Sequence, residues 1–551
     1  MASMTAIAVW LSVLILLLKP LRGLYRTFIW PFFSPLRNVP GPAPQNWLYG
    51  TMKLSRKIGP PIARTQWMQA HGPIFKDWSF FGRPRLVLAD NRGIGHVISN
   101  SMDYQKPPLG RFIAGQVVGD GILTVEGMEH KHQRRVLNPA FGVAQIRELL
   151  PIFFEESLRL RDAWKSKIAE DSTTGRIIVD VLDYLQLTTL DVIGLAGFGF
   201  SFDALDPSPS TDLETKEFTD ALRILTNGDA PGVMTVLQGI LPPLRYIPTP
   251  RTRRIAKARA VLNRVGGRLI SERKRLVLGD VAQEKVKRDD VQGKDVLSIL
   301  VRANLATDLP EQSRLSDQDM LAQIPTLLVA GHETTSSAVT WGLHSLSNNP
   351  AVQDKLRAEL RACVHVHGSM PSSEVLNNLP YLEMFVREVM RLHSPVTSTS
   401  RVAMKADVIP TANEWVDVHG VKHSGVPVAE GDTILLPMEM MNNLAAIWGP
   451  DARTFRPERW ESPPEAARAI PGVWGNSLSF LGGPRACIGF RFSLLEMKAI
   501  FLTLVSTFRF ENAVDPEKVF RHSLIVARPM IRGEEKEGAR LPMYISLVDE
   551  E

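Results

Sequence analysis

The residues best equipped for chemistry in this 551-residue chain lie in its last third, around one of only two cysteines. Phe480-Leu481-Gly482-Gly483-Pro484-Arg485-Ala486-Cys487-Ile488-Gly489 is a Gly- and Pro-rich turn. It delivers Cys487 to the start of an apolar helical pattern through Phe490, Leu494, Leu495 and Met497. A thiol at a helix start meets free backbone N–H groups and the positive end of the helix dipole. That setting is expected to lower its pKa and favour thiolate, the form that binds metal. Cys363 reads as a small buried hydrophobe. Two cysteines build no disulfide framework and no paired zinc spacing, so each needs its own explanation.

The turn matches F-x-x-G-x-R-x-C-x-G at every specified position, and there the chain resembles the cytochrome P-450 superfamily of haem-thiolate monooxygenases. The resemblance implies that Cys487 is the axial ligand to the iron of haem b. It implies that Gly483 permits a tight turn and Gly489 close backbone approach beneath the porphyrin, that Phe480 shields the sulfur, and that Arg485 pairs with a haem propionate. A cysteine ligand donates electron density to iron and favours O–O cleavage.

Four more segments follow the family's order. Glu388-Val389-Met390-Arg391 sets a carboxylate and a guanidinium on one helical face. Phe455-Arg456-Pro457-Glu458-Arg459-Trp460 resembles the family's P-E-R-F segment, with Trp in the last place. By resemblance Glu388, Arg391 and Arg459 form a buried ion-paired triad. The other Glu-x-x-Arg spacings, starting at Glu156, Glu272, Glu311, Glu465 and Glu537, are expected to be solvated surface pairs.

Ala330-Gly331-His332-Glu333-Thr334-Thr335 resembles the oxygen-activation motif A-G-x-D/E-T-T on a central helix. Small Ala330 and Gly331 would leave room for dioxygen. Glu333 would head a proton relay, while Thr334 would loosen the helical ladder and orient water. Pro325 is expected to kink or interrupt this helix. Gly127 to Arg135 resembles the family's W-x-x-x-R, with His130 in the Trp place. His130 and Arg134, and farther on Arg401, would hold propionates. His130 as an axial iron ligand is set aside in favour of the thiolate loop.

The elements that must carry these residues read as mostly helical with a small β-rich lobe, which the resemblance makes a cytochrome P-450 fold over residues 51–551. Phe75 to Phe81 and Arg85 to Leu88 read as two strands around a turn. Ile255, Ala258, Leu262, Val265 and Leu269 repeat at helical spacing. Asp206 to Thr215, Glu284 to Asp295 and Gly533 to Arg540 read as surface loops. Met1 to Leu18 has no charged side chain and is followed by Lys19, Arg22 and Arg26, so residues 1–26 are expected to be a single transmembrane anchor with a basic stop. Residues 27–50 read as an interfacial segment, Phe28 to Phe33, and a Pro-rich hinge, Val39 to Pro44, acting as a stiff spacer. The charge order is expected to place the body in the cytosol, and the resemblance implies the endoplasmic reticulum membrane.

Sixty-four Lys and Arg against 58 Asp and Glu give +6, spread along the chain, so no nucleic-acid partner is needed. No G-x-G-x-x-G unit for flavin or nicotinamide is present. The resemblance therefore implies electrons from NADPH through a separate flavin reductase, with dioxygen and a lipophilic substrate as co-reactants. Lys131 and Arg135, beside Arg134, are expected to face outward as part of the reductase's docking surface. By resemblance, Pro107 to Leu123, part of Leu225 to Leu241, Val396 to Ser400 and Ser523 to Ala527 should line the distal pocket. The wording of several motifs resembles fungal members, many of which act in secondary metabolism such as terpenoid biosynthesis. A thiolate-haem isomerase or dehydratase and a non-enzymatic haem-binding protein are the alternatives.

Overall fold

The computed structural model describes residues 25–170, 175–205, 213–226, 232–282, 295–305, 314–523 and 526–548. Residues 1–24, which hold most of the expected anchor, lie outside them, as do most of the expected loops at 206–212 and 283–294.

The body is mostly helical and is organised around the helix Asp317–Asn348, which is buried on nearly every side below its first turn. A capping box starts it: Ser316 Oγ accepts from Asp319 N at 3.1 Å, and Asp319 Oδ2 accepts from Ser316 N at 3.1 Å. The helix continues through Pro325 without a break, where the sequence leads one to expect a kink or interruption. Proline removes a single internal donor, and packing of the flanking residues Ile324 and Leu327 into the core holds the ladder on either side.

Against this helix lies Val181–Phe198. Among the described residues it is the one helix long and apolar enough to cross a membrane, but it is largely buried within the body. A Cβ at Gly331 would come within 2.9 Å of Ile193 on that helix. Gly331 therefore serves close helix packing on the side that faces Ile193. Thr189 Oγ1 seals the contact by donating to His332 O at 3.1 Å.

The helix that Cys487 precedes, Phe490–Thr507, packs edge-to-face on Val143–Glu170 through Phe492 and Phe153 (4.7 Å between ring centres). It meets Pro380–Leu392 through Phe501 and Phe385 (4.9 Å). Ile255 to Leu269 falls within the helix Pro250–Ala282, with its apolar repeat buried.

The β-rich part holds a five-stranded sheet in the order Ile74–Trp78, Pro84–Leu88, Thr433–Leu436, Thr399–Ala403, Tyr104–Gln105. Only the second and third strands run parallel. The first pair has the register Ile74 to Leu88 and Trp78 to Pro84. The first strand ends at Trp78 rather than Phe81, because Phe81 and Gly82 turn the chain at φ 60° and 63°.

Residues 34–42 are built into the body rather than standing off as a spacer. Leu36 and Val39 are buried, Lys76 N donates to Pro40 O at 2.7 Å, and Trp78 Nε1 donates to Pro42 O at 2.7 Å. Ser34 Oγ donates to Asp432 Oδ1 at 2.7 Å. A chain truncated to begin at Ser34 should therefore fold with near-normal stability, whereas one beginning at Pro40 should lose about 3 kcal/mol or more from Leu36 and Val39 together. Urea denaturation of the two truncated chains checks this, and equal midpoints would contradict it.

Candidate active site

The cysteine turn is fixed from inside and from both flanks. Cys487 N donates to Phe480 O at 2.9 Å, and the Phe480 ring lies against Trp474 (5.7 Å) and Phe490 (6.1 Å). Gly483 adopts φ 67°, and a Cβ there would overlap Ile98 O, so the tight turn needs glycine twice over. Gly489 differs: its φ is −90° and the nearest protein atom to a Cβ would be Phe141 Cε1 at 3.7 Å. Nothing in the protein demands glycine there, which fits a flat group lying against the backbone.

Cys487 is exposed yet closely ringed by protein, and the second property governs its titration. Burial pushes its thiol up, while the Gly489 N–H and then Arg134 pull it down by less. The helix start alone does not make the thiolate that the sequence led one to expect. A bound cation does so outright.

Around the turn gathers a rim of cations. Arg134 Nη1 donates to Ala486 O at 2.6 Å and Nε to Asn138 Oδ1 at 2.9 Å, so Arg134 braces the loop directly. Arg485 donates to Val125 O at 2.7 Å and pairs with Glu126, leaving Nη1 buried without a partner. Arg401 Nη1 donates to Thr399 Oγ1 and Ser400 O, each at 2.8 Å. Burial brings Arg401 down to about 10, with Arg485 nearby acting in the same direction. Lys106, which the sequence reading missed, is brought down to about 7 by burial and then by Arg485 and Arg401. His130 is buried, and desolvation and then Arg485, Lys106 and Arg134 push it down to about 3. It is therefore a neutral ring able to donate one N–H.

Arg134, Arg401, Arg485 and Lys106 thus crowd together, with Glu126 as the one carboxylate among the described residues that acts on this group. A cluster with that excess fits a cofactor bearing two carboxylates, and Arg401, Arg485, His130 and Lys106 would hold them.

Facing away from Gly331 on the central helix, Ala330 is exposed and Thr334 half-buried. Thr334 Oγ1 donates to Ala330 O at 2.7 Å, a back-bond that eases the local ladder. Glu333 accepts from Arg528 Nη2 at 2.5 Å. Burial pushes its carboxyl up to about 7, with Arg528 opposing. Thr335 Oγ1 meets Ser493 Oγ at 3.1 Å, which joins this motif to the helix started by the cysteine turn. Glu496 on that helix is buried, is pushed up to about 8, and has one oxygen without a partner. Arg528, Glu496 and Glu126 were also missed, since single charged letters in ordinary strings carry no local signal.

The triad is assembled with Glu388 and Arg391 wholly buried. Arg391 Nε and Nη2 donate to the two Glu388 oxygens at 2.9 and 2.7 Å. Arg459 Nε stands 3.5 Å from Glu388 Oε1. Trp460 Nε1 donates to Glu388 Oε2 at 3.0 Å, a bond that Phe in the same place could not make. Of the other Glu-x-x-Arg pairs, Glu156 with Arg159 departs from a solvated surface pair: Glu156 is buried, 3.0 Å from Arg159.

A thiol turn under a rim of cations, coupled to a central helix whose one open face carries a threonine, is the pattern of a haem-thiolate oxidoreductase. The sequence profile of the Cytochrome P450 family matches residues 40–532. Cytochrome P450 monooxygenase 205 of Postia placenta is 48% identical over 512 residues, 93% of each chain. Cytochrome P450 monooxygenase 128 of the same organism is 44% identical over 522 residues, 94% of each. Cytochrome P450 monooxygenase claW of Ampulloclitocybe clavipes is 31% identical over 537 residues, 94% of this chain and 96% of its own. The chain belongs to the cytochrome P450 family, whose cofactor is haem, and is a monooxygenase.

Replacing Glu388 by Gln leaves the buried Arg391 guanidinium without its counter-charge, while Arg459 keeps Asp451 at 2.8 Å, and should cost about 3–5 kcal/mol. Trp460→Phe removes one hydrogen bond to the same carboxylate and should cost about 2 kcal/mol. Denaturation midpoints and haem content of the purified variants check both values, and a Glu388→Gln protein as stable as the parent would refute the triad's role.

Proposed function

We propose that the chain is a membrane-anchored monooxygenase of fungal secondary metabolism. It inserts one atom of dioxygen into a lipophilic substrate, with electrons passed from NADPH by a separate flavin reductase and its body on the cytosolic side of the endoplasmic reticulum. The relatives from Postia placenta and Ampulloclitocybe clavipes support the fungal setting. The apolar run before Lys19 and the basic residues after it support the anchor.

The observation that carries the reaction is the Thr334 face of the central helix, held by the Thr335–Ser493 contact to the helix that begins after Cys487. Bound haem, ligated by Cys487, supplies oxygen activation. The chain's part is proton delivery. Thr334 gives its own proton to Ala330 O, so its oxygen is left to accept from water. Glu333 holds a proton near neutrality, because burial favours the neutral acid and Arg528 opposes it. An isomerase or dehydratase needs neither external electrons nor such an acid beside a threonine, and a haem carrier needs neither of them.

Reconstitution with haem, reductase and NADPH should give product in the parent and none in Cys487→His, with Cys363→Ser unaffected. Thr334→Ala should still consume NADPH but release hydrogen peroxide in place of product. Product formed per NADPH should fall as pH rises through about 7, where Glu333 loses its proton. Arg528→Gln, by removing the opposing charge, should move that fall to higher pH, and Glu333→Gln should flatten it. Coupling that is independent of pH in the parent would exclude Glu333 as the donor.

The docking face rests on Lys131 and Arg135, both exposed on the helix Gly127–Leu137 whose Arg134 holds the cysteine loop, and on exposed Arg491 just beyond the loop. Steering by such charges is screened over roughly 10 Å at ~0.1 M salt. Reversing Lys131 and Arg135 to Glu should slow first-electron transfer several-fold and flatten its salt dependence, while substrate-induced spectral shifts stay unchanged. Stopped-flow reduction that is indifferent to both changes would place the reductase elsewhere.

A further inference from the structure

A cavity of about 1280 Å3 lies beside the N-terminal helices, and neither Cys487 nor Thr334 lines it. Much of its wall is apolar, with Ile58, Ile62, Phe80, Phe81, Val233 and Val236 among the lining residues. Into it points Arg64, from the helix Pro60–His71. Arg64 is 8% exposed. Among the described residues its guanidinium makes no hydrogen bond and no ion pair, and its Nε is buried without a partner.

The carboxylates whose charge reaches Arg64 are engaged by other cations. Asp77 takes two hydrogen bonds from Arg85, at 2.8 and 2.6 Å. Glu439 Oε1 accepts from Arg521 at 2.7 Å, and its other oxygen is buried without a partner and forms no ion pair with Arg64. Each of these two pairs is neutral in sum, which leaves Arg64 as a buried charge facing Arg85 with nothing to cancel it. Buried guanidinium groups are ordinarily paired. Lys53, Lys57, Arg453 and Arg532 against Glu535 also line the cavity, so its walls are positive overall, and the fork of Arg64 matches the two oxygens of a carboxylate.

We propose that this cavity is a binding site, apart from the iron site, for a carboxylate-bearing and otherwise apolar molecule whose carboxylate seats on Arg64. The site adjoins the iron site through Thr397 and Ser398, which line it and lead into the strand that carries Arg401. Binding here is read without turnover, so the inference stands or falls independently of which substrate is oxidised.

The test is calorimetric titration of the full-length, haem-loaded protein with dodecanoate, dodecanol and dodecyl phosphate, each below its critical micelle concentration. Dodecanoate should bind at least about tenfold more tightly than dodecanol. Arg64→Met should bring the two to equal affinity. Because that substitution removes an uncompensated buried charge, unliganded Arg64→Met should melt no lower than the parent and carry the same haem content. Equal affinity for acid and alcohol in the parent would overturn the proposal, as would discrimination that survives Arg64→Met. A melting temperature several degrees lower in the unliganded variant would give Arg64 a structural role instead. Tighter binding of the phosphate than of the carboxylate would overturn the assigned ligand class.

Discussion

One buried carboxylate sets the frame of the molecule. Glu388 has no exposure to water, and an isolated charge there would be untenable, so its neighbours are obliged to stay where they are. Arg391 comes from its own helix, Arg459 and Trp460 from the segment ahead of the cysteine turn, and the amide of Arg456 closes the last gap at 3.1 Å. Arg391 extends the constraint by donating to Asn442 O at 3.0 Å and Ala452 O at 2.5 Å. Segments far apart in sequence are thereby forced into one arrangement, and the turn that presents Cys487 inherits its position from them. Ser479, next to Phe480, adds a tie of its own by donating to Met390 O at 2.7 Å.

Burial acts on charge around the site in two places. Near Cys487, several cations share Glu126, and the excess calls for an anionic cofactor. On the central helix the charges match one for one but burial does not favour them equally: it pushes Glu333 toward the neutral acid, and Arg528 holds it short of full neutrality. Positive excess retains the cofactor and partial neutrality holds a proton, and burial amplifies both.

What the sequence made legible were residues whose roles demand a fixed local spacing. Gly483, Phe480, Arg485 and Cys487 had to sit within one turn, and Glu388 with Arg391 within one helical step. The residues it hid owe their roles to tertiary burial alone. Lys106, Glu126 and Glu496 are ordinary letters until packing strips their water. The same cause lies behind the misread features. Cys487 looked like a ready thiolate because a helix start is visible in sequence, whereas the protein that rings it is not. Residues 39–44 looked like a spacer because proline is visible, whereas the strand that donates to Pro40 O and Pro42 O lies more than thirty residues on.

The close approach of Ile193 to Gly331 has a consequence for how the sequence can change over time. A side chain can be gained at position 331 only if the isoleucine opposite shifts or gives up volume, so the order of substitutions matters as well as their identity. Lineages that drift at one site without the other pass through a strained intermediate. The two positions are therefore coupled through packing, and a side chain at 331 is opposed by the neighbouring helix whatever the chemistry of the site asks for.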